Sequence, residues 1–489
     1  MKQMMNTRKL MLGASLLAMS AQMAVASTGT KQKNPNVILI MADDLGWADT
    51  GYNGHPRIKT PHLDDMAQNG VQFNRFYAAA PVCSPTRGSC LTGRNPYRYG
   101  IPGANAGHLK AEEVNLAEVM KAEGYRTGHF GKWHLGTLFS DFSGKGDKRN
   151  PKSNHMTPGM AGFDEWFSSE FAIATYDPYK KDKEHSHSKF YLEDDDRRAI
   201  YVENGKPMEE DLTGCDSKII MDRAIPFIED AVKQDKPFFT VIWFHAPHTP
   251  IVGHPKYMKE LYSDLPEANQ HFNSVVTALD AQVGRLRKKL KELGVAENTM
   301  VCFTSDNGPE GNPGPRGRSQ GTAGKLRGRK RSLYEGGIRV PGIIEWPAVA
   351  KQHLELDMPA VTSDYFPTVC EALGYKMESD RPIDGVSLID ILKGKQQKRN
   401  KHIGFQYNGH KQKVMIGERY KLVKNEGKAR PKSDNGSTPI AAVELYDIVN
   451  DPSETKNIAS NHPEIVKSMM KELKAFVESC AHSNAGEDY

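Results

Sequence analysis

Only six cysteines occur in 489 residues, at positions 83, 90, 215, 302, 370 and 480. They are too few and too scattered for a disulfide scaffold. Cys302 lies in an apolar run and Cys370 on a helix face, as core thiols do. No apolar stretch reaches the ~20 residues of a membrane-spanning helix. Beyond the amino terminus the longest, Phe238 to Phe244, has the length of a core strand. No internal repeat is visible. Charge of one sign is also lacking: 65 Lys and Arg stand against 60 Asp and Glu. Lys2, Arg8 and Lys9, with no acid beside them, supply three of the five net positive charges, so the chain from residue 27 carries +2. A balance so near neutral argues against nucleic acid as a partner. What is present, 38% apolar and 26% charged residues, suffices for a packed core under a soluble surface.

Residues 1–26 read as a secretory signal. Lys2, Arg8 and Lys9 form the charged start, Leu10 to Leu17 opens the apolar stretch, and Ala24-Val25-Ala26 is a small-x-small cleavage site. Ser20 and Gln22 interrupt the stretch and no cysteine follows the cleavage point, which argues against a membrane or lipid anchor. The expectation is an exported protein, periplasmic or extracellular.

Strand-like and helix-like segments then alternate. Val37 to Met41, Phe238 to Phe244 and Thr299 to Phe303 are continuous apolar runs, as in strands buried on both faces. Helices are expected from a Thr60 cap to Gly70, and over 112–123, 218–233 and 269–293. The order implies an α/β fold, a large mixed sheet flanked by helices, over residues 27–395. Residues 396–489 change character: short strands at 403–407, 413–416, 420–423 and 443–446 precede a helix at 463–478. They form a smaller C-terminal α+β subdomain. Lys424 to Thr438 reads as a polar hairpin tip, and Tyr179 to Arg198 as a charged loop.

Four segments of the large domain end in polar clusters: Asp43-Asp44; Lys132-Trp133-His134; His245 with His248; and Asp306-Asn307. In open α/β sheets ligands bind outside the carboxyl ends of strands. Asp43, Asp44, Asp306 and Asn307 are hard oxygen donors suited to Ca²⁺ or Mg²⁺ and not to zinc. Lys132, His134 and His248 are cations or proton carriers, so the combination suits an anion held between metal and donors. Cys83-Ser84-Pro85-Thr86-Arg87 adds a thiol at the positive end of a helix, with Arg87 on the same face.

Cys83-Ser84-Pro85-Thr86-Arg87 with Leu91-Thr92-Gly93-Arg94 resembles the signature of the type I, formylglycine-dependent sulfatases. Gly124 to Gly136, which contains Gly131-Lys132-Trp133-His134, resembles their second signature. Asp43-Asp44-Leu45-Gly46, His248-Thr249-Pro250, Ser305-Asp306-Asn307-Gly308 and Tyr334-Glu335-Gly336-Gly337 extend the likeness over nearly the whole chain. The resemblance implies the alkaline phosphatase-like fold and an enzyme that hydrolyses sulfate esters. It implies that Cys83 is oxidised to formylglycine by a formylglycine-generating enzyme, and that its hydrated gem-diol is the nucleophile. Calcium, with Mg²⁺ as the alternative, would be held by Asp43, Asp44, Asp306, Asn307 and residue 83. Arg87 and Lys132 would stabilise residue 83 and the sulfate, His134 would contact a hydroxyl of residue 83, and His248 and Lys330 would bind the sulfate and assist the leaving oxygen. His245 would stand behind these residues.

The family's usual Gly-Lys-Gly reads here Arg329-Lys330-Arg331. These arginines are expected to bind a second anionic group of the substrate. Residues 316–331 hold seven cations and no acid, which favours a sulfated glycan over a small metabolite. Three further readings are weighed: a phosphodiester or phosphonate monoester hydrolase on the same fold, a non-catalytic sulfoglycan-binding protein, and a nucleic-acid or heparin-binding surface over residues 316–331, whose place beside Lys330 makes a polyanionic sugar the better partner than DNA.

Overall fold

The computed structural model describes residues 34–489 apart from 146–148, 183, 186–196, 311–314, 378–379, 408–410 and 427–439. The expected signal peptide, most of the 424–438 tip and much of the 179–198 loop therefore lie outside the described residues.

Eleven strands build the main sheet: β1 (Asn36–Ala42), β2 (Val71–Tyr77), β3 (Arg126–Lys132), β4 (Glu165–Ser169), β5 (Val202–Glu203), β6 (Lys206–Pro207), β7 (Phe238–Trp243), β8 (Thr299–Ser305), β9 (Arg339–Val340), β10 (Gly342–Glu345) and β11 (Leu354–Val361). Their order is β11-β2-β10-β8-β1-β7-β3-β4-β5-β6, with β9 on β2. The central neighbours β8, β1, β7 and β3 are all parallel, whereas β10 runs antiparallel to β8 and β2.

The apolar run of β1 is continuous because both of its faces are covered. Val37, Leu39 and Met41 enter one core, with α2 (Cys83–Thr92), α3 (Leu116–Ala122) and the helix Tyr365–Leu373. Ile38, Ile40 and Ala42 enter the other, with α1 (Pro61–Asn69) and the helices Asp216–Lys233 and Glu267–Glu292. Alternate residues thus serve opposite layers. Gly131 lets β3 approach β7 closely: its φ is 104°, and a Cβ there would lie 2.0 Å from the Trp243 carbonyl oxygen.

Two helix starts differ from expectation. Thr60 does not cap α1 with its side chain. Its hydroxyl accepts from Gly51 N at 2.7 Å and donates to Asp64 at 2.9 Å. Asp280, from the helix Glu267–Glu292, supplies the cap by accepting from Leu63 N at 2.7 Å and His62 N at 3.2 Å. A cap from another element leaves no local pattern. The helix expected from 112 begins at Leu116, because Asn115 and Glu118 form a capping box there.

The carboxyl-terminal part holds β12 (Ile403–Tyr407), β13 (Gln412–Ile416), β14 (Tyr420–Asn425) and β15 (Val443–Asp447), an antiparallel sheet in sequential order. Met415, Leu422 and Leu445 face the helix Pro463–Asn484. Phe405, Val414, Val423 and Tyr446 pack on Tyr77, Leu333, Tyr334 and Val361 of the large sheet's layer.

Candidate active site

The parallel order β8-β1-β7-β3 places the carboxyl ends of four strands along one edge. Asp43 and Asp44 follow β1, Asp306 and Asn307 follow β8, His245 and His248 follow β7, and Lys132 closes β3 before His134. In a regular strand Asp43 and Asp44 would point to opposite faces. Asp44 is left-handed instead, with φ 66°. Both carboxylates join the same cluster: Lys132 Nζ lies 2.6 Å from Asp43 Oδ2, and Lys330 Nζ lies 2.6 Å from Asp44 Oδ1.

Cys83 opens α2, and all ten residues of that helix are buried. Thr86 fixes the approach to it, its hydroxyl accepting from Ala80 N at 3.1 Å and lying 3.3 Å from Val82 O. One turn on, Arg87 forks Asp306 Oδ2 at 2.7 and 3.2 Å, donates to the Lys132 carbonyl at 3.1 Å, and lies 5.2 Å from the Trp243 ring centroid. Asn307 Nδ2 donates to Asp44 Oδ1 at 2.7 Å. His248 Nε2 lies 3.6 Å from Asp44 Oδ2. His134 Nε2 meets Asn105 Oδ1 at 2.9 Å, while its Nδ1 is buried without a partner.

Burial works against every charge here, and the neighbours decide the outcome. It would raise the Asp43 carboxyl, but Lys132, His248, Arg87 and Lys330 hold it well below the usual carboxylate range. Asp306 is pushed up to about 7 by burial and by the Asp43 charge. Burial, reinforced by Lys132 and Arg149, holds His134 well below its ordinary value, so its ring is neutral. Burial likewise takes His248 down to about 4 against the pull of Asp43 and Asp44. Lys330 moves the other way: burial would lower it, but Asp44, residue 83, Glu310 and Asp43 together outweigh that and raise it, so it stays an ammonium.

The residues fit a hard cation. Asp43 Oδ1 and Asn307 Oδ1 are buried oxygens without a hydrogen-bond partner, a state that is costly unless something binds them. Ligand atoms of Asp43, Cys83 and Asp306 lie within 4.8 Å of one another, as do those of Asp43, Asp44 and His248. The Cys83 sulfur stands where an oxygen of an oxidised residue 83 would stand. Three carboxylates already face Arg87, Lys132 and Lys330, so a divalent cation enters together with anionic charge.

The remaining candidate residues lie around this cluster. His245 is fully buried, with Nε2 at 2.6 Å from Ser169 Oγ and Nδ1 at 2.9 Å from Asp216 Oδ2. Both ring nitrogens are thus engaged inside the protein. Arg331 forks Glu310, which also lies 3.7 Å from Lys330. Arg329 donates to the Gly321 carbonyl. The basic run is only partly solvated: Arg327 is buried 3.7 Å from the Tyr334 ring centroid, and Arg318 is buried 3.3 Å from Glu267. Sequence reasoning missed Asn105, Arg149 and Glu170, which surround His134. They come from loops without a motif, and no spacing rule marks them.

Comparison with known proteins shows the family. A profile described as Sulfatase matches residues 35–375, and one described as N-sulphoglucosamine sulphohydrolase, C-terminal matches residues 328–479. N-acetylgalactosamine-6-sulfatase of Mus musculus is 32% identical over 401 residues, covering 78% of this chain and 71% of that protein. Arylsulfatase A of Homo sapiens is 30% identical over 496 residues, covering 95% of this chain and 91% of that protein. The solved structure of Ps i-CgsB in complex with k-i-k-neocarrahexaose is similar with a TM-score of 0.75 at 26% identity, covering 91% of this chain and 93% of that one. With the sulfatase profile spanning most of its length and a relative 30% identical across nearly all of it, this chain belongs to the sulfatase family and is a sulfuric ester hydrolase.

Proposed function

We propose that this sulfatase is exported and removes sulfate from a sulfated glycan, with 6-sulfated N-acetylgalactosamine the first substrate to test. Cys83 is oxidised to formylglycine in the active protein, and one Ca²⁺ occupies the acidic cluster. One observation carries this reading: three buried carboxylates and an amide cluster at the strand ends, Asp43 and Asp306 have ligand atoms within 4.8 Å of that of Cys83, and two oxygens of the cluster lack a partner. The sugar follows from the similarity to an N-acetylgalactosamine-6-sulfatase.

The hydrated aldehyde and the cation supply an acidified oxygen nucleophile at position 83. The chain's own residues do the rest. Asp43, Asp44, Asp306 and Asn307 hold the cation by oxygen, and Mg²⁺ would use the same set. Arg87 and Lys132 lie beside residue 83 and balance charge on the sulfate oxygens. His134 is neutral, with Nε2 committed to Asn105 and Nδ1 buried and unpartnered, so Nδ1 is the atom that can take a proton. Lys330 keeps its proton and can donate to the leaving oxygen. His248, neutral before substrate arrives, orients the sulfate.

Sulfate release should be measured over N-acetylgalactosamine 6-sulfate, glucosamine 6-sulfate, carrageenan oligosaccharides and 4-nitrophenyl sulfate, with a phosphodiester and a phosphonate monoester as controls. Preferred turnover of the galactosamine ester is expected. Hydrolysis of the phosphorus esters with no turnover of any sugar sulfate would overturn the reading. Export is checked separately: the secreted chain should begin at Ser27.

A further inference from the structure

Three arginines, Arg87, Arg94 and Arg149, are among the largest fully buried side chains. Arg87 pairs with Asp306, and Arg94 with Asp488 and Glu113. Arg149, 1% exposed, has a single partner among the described residues: its Nη2 donates to the Gly107 carbonyl at 2.7 Å. Its Nε and Nη1 are buried with no acceptor. A buried guanidinium is expensive unless an anion meets it. Buried polar atoms without a partner occur elsewhere too, Arg94 Nε and Nη1 among them, but three of them, Asp43 Oδ1, Asn307 Oδ1 and His134 Nδ1, belong to the active site. Lys132 and Lys330 of the active site are as little exposed, at 1% and 4%.

Its surroundings place it on the His134 side of that pocket. Gly107 belongs to the same loop as Asn105, which holds His134. Glu170 and residue 83 lie within electrostatic reach of the Arg149 guanidinium, and Arg149 lies within reach of His134. Glu170 is already engaged by Ser143 Oγ at 2.7 Å and Gly144 N at 3.1 Å.

We propose that Arg149 is a substrate-binding residue whose open Nε and Nη1 edge receives an oxyanion of the substrate beside residue 83 and His134. Two sources share this chemistry: the scissile sulfate itself, and a second sulfate or carboxylate on the neighbouring sugar. The second source rests on the glycan reading above, and the first does not. Arginine suits either, because its planar fork meets two oxygens at once.

The test uses the full-length matured enzyme and its Arg149→Gln and Arg149→Lys variants. Substrates are 4-nitrophenyl sulfate, N-acetylgalactosamine 6-sulfate and a uronate-containing disaccharide with the same ester. Inorganic sulfate serves as a competitive inhibitor. If the scissile sulfate is the ligand, Arg149→Gln raises KM for all three substrates and Ki for sulfate by about tenfold or more. If the second anion is the ligand, only the disaccharide shows that rise. Either pattern, with partial recovery in Arg149→Lys, supports the proposal. Constants unchanged for every probe overturn it. So does a fall in kcat on all substrates with KM and Ki unchanged, which would make Arg149 a brace for the Asn105–Gly107 loop. Should the Gln variant fail to fold, the Lys variant decides by the same KM and Ki criteria at unchanged Tm. A wild-type enzyme that cleaves only the aryl sulfate overturns the glycan reading, and Arg149 is then judged on aryl sulfate and inorganic sulfate alone.

Discussion

At the residue scale, the left-handed backbone of Asp44 turns two consecutive acids toward one cation site. Asp44→Asn keeps the shape and removes the charge that faces Lys330. Turnover should fall at least about 100-fold, with weaker metal binding measured by calorimetry. A variant that retains full activity and stoichiometric metal would exclude Asp44 as a ligand. Arg329 and Arg331 make contacts within the protein, to Gly321 and Glu310. Replacing both by glycine should lower kcat/KM by a few-fold, about the worth of exposed ion pairs, and equally for aryl sulfate and sugar sulfate. A loss confined to the sugar would instead assign them to a second anionic group.

The element that matters most is α2, because it carries both Cys83 and Arg87. Gly88 sits where a Cβ would come within 2.8 Å of the Tyr99 hydroxyl, and that hydroxyl donates to the Pro85 carbonyl. Gly88→Ala should therefore shift the helix, costing about 1–3 kcal/mol in urea unfolding and slowing turnover with it. The cap of α1 comes from a distant helix, so Asp280→Ala should cost about 1–2 kcal/mol although it lies far from α1 in sequence. An unchanged unfolding midpoint would show that the two backbone donors find other acceptors.

At the scale of the whole molecule, the small sheet is joined to the large one through buried charge. Lys421 lies 2.9 Å from Glu335 and 2.9 Å from Glu454, all three side chains being fully buried. Lys421→Met leaves two buried carboxylates facing each other and should destabilise by about 3–5 kcal/mol. Because Glu335 follows the Lys330 segment, activity should fall before global unfolding. With Ca²⁺ in the acidic cluster as proposed, its removal would act on the whole fold as well. Dialysis against a chelator should abolish turnover and lower Tm, and Ca²⁺ at 100 times its Kd should restore about 2.7 kcal/mol of stability. Restoration by zinc alone would contradict the oxygen ligand set.

The sequence by itself determined the alternation of strands and helices and the polar strand ends, because burial on two faces forces continuous apolar runs and chemistry needs particular side chains. It also carried the contiguous motifs around Cys83, Lys132, Asp306 and Lys330. Tertiary structure decided what depends on distant partners. Among these are the cap that Asp280 gives α1, the two engaged nitrogens of His245, and the protein contacts of Arg329 and Arg331. The isolation of Arg149 belongs there too, since whether a buried cation has met its anion is a property of three-dimensional neighbours and leaves no period or spacing in the chain.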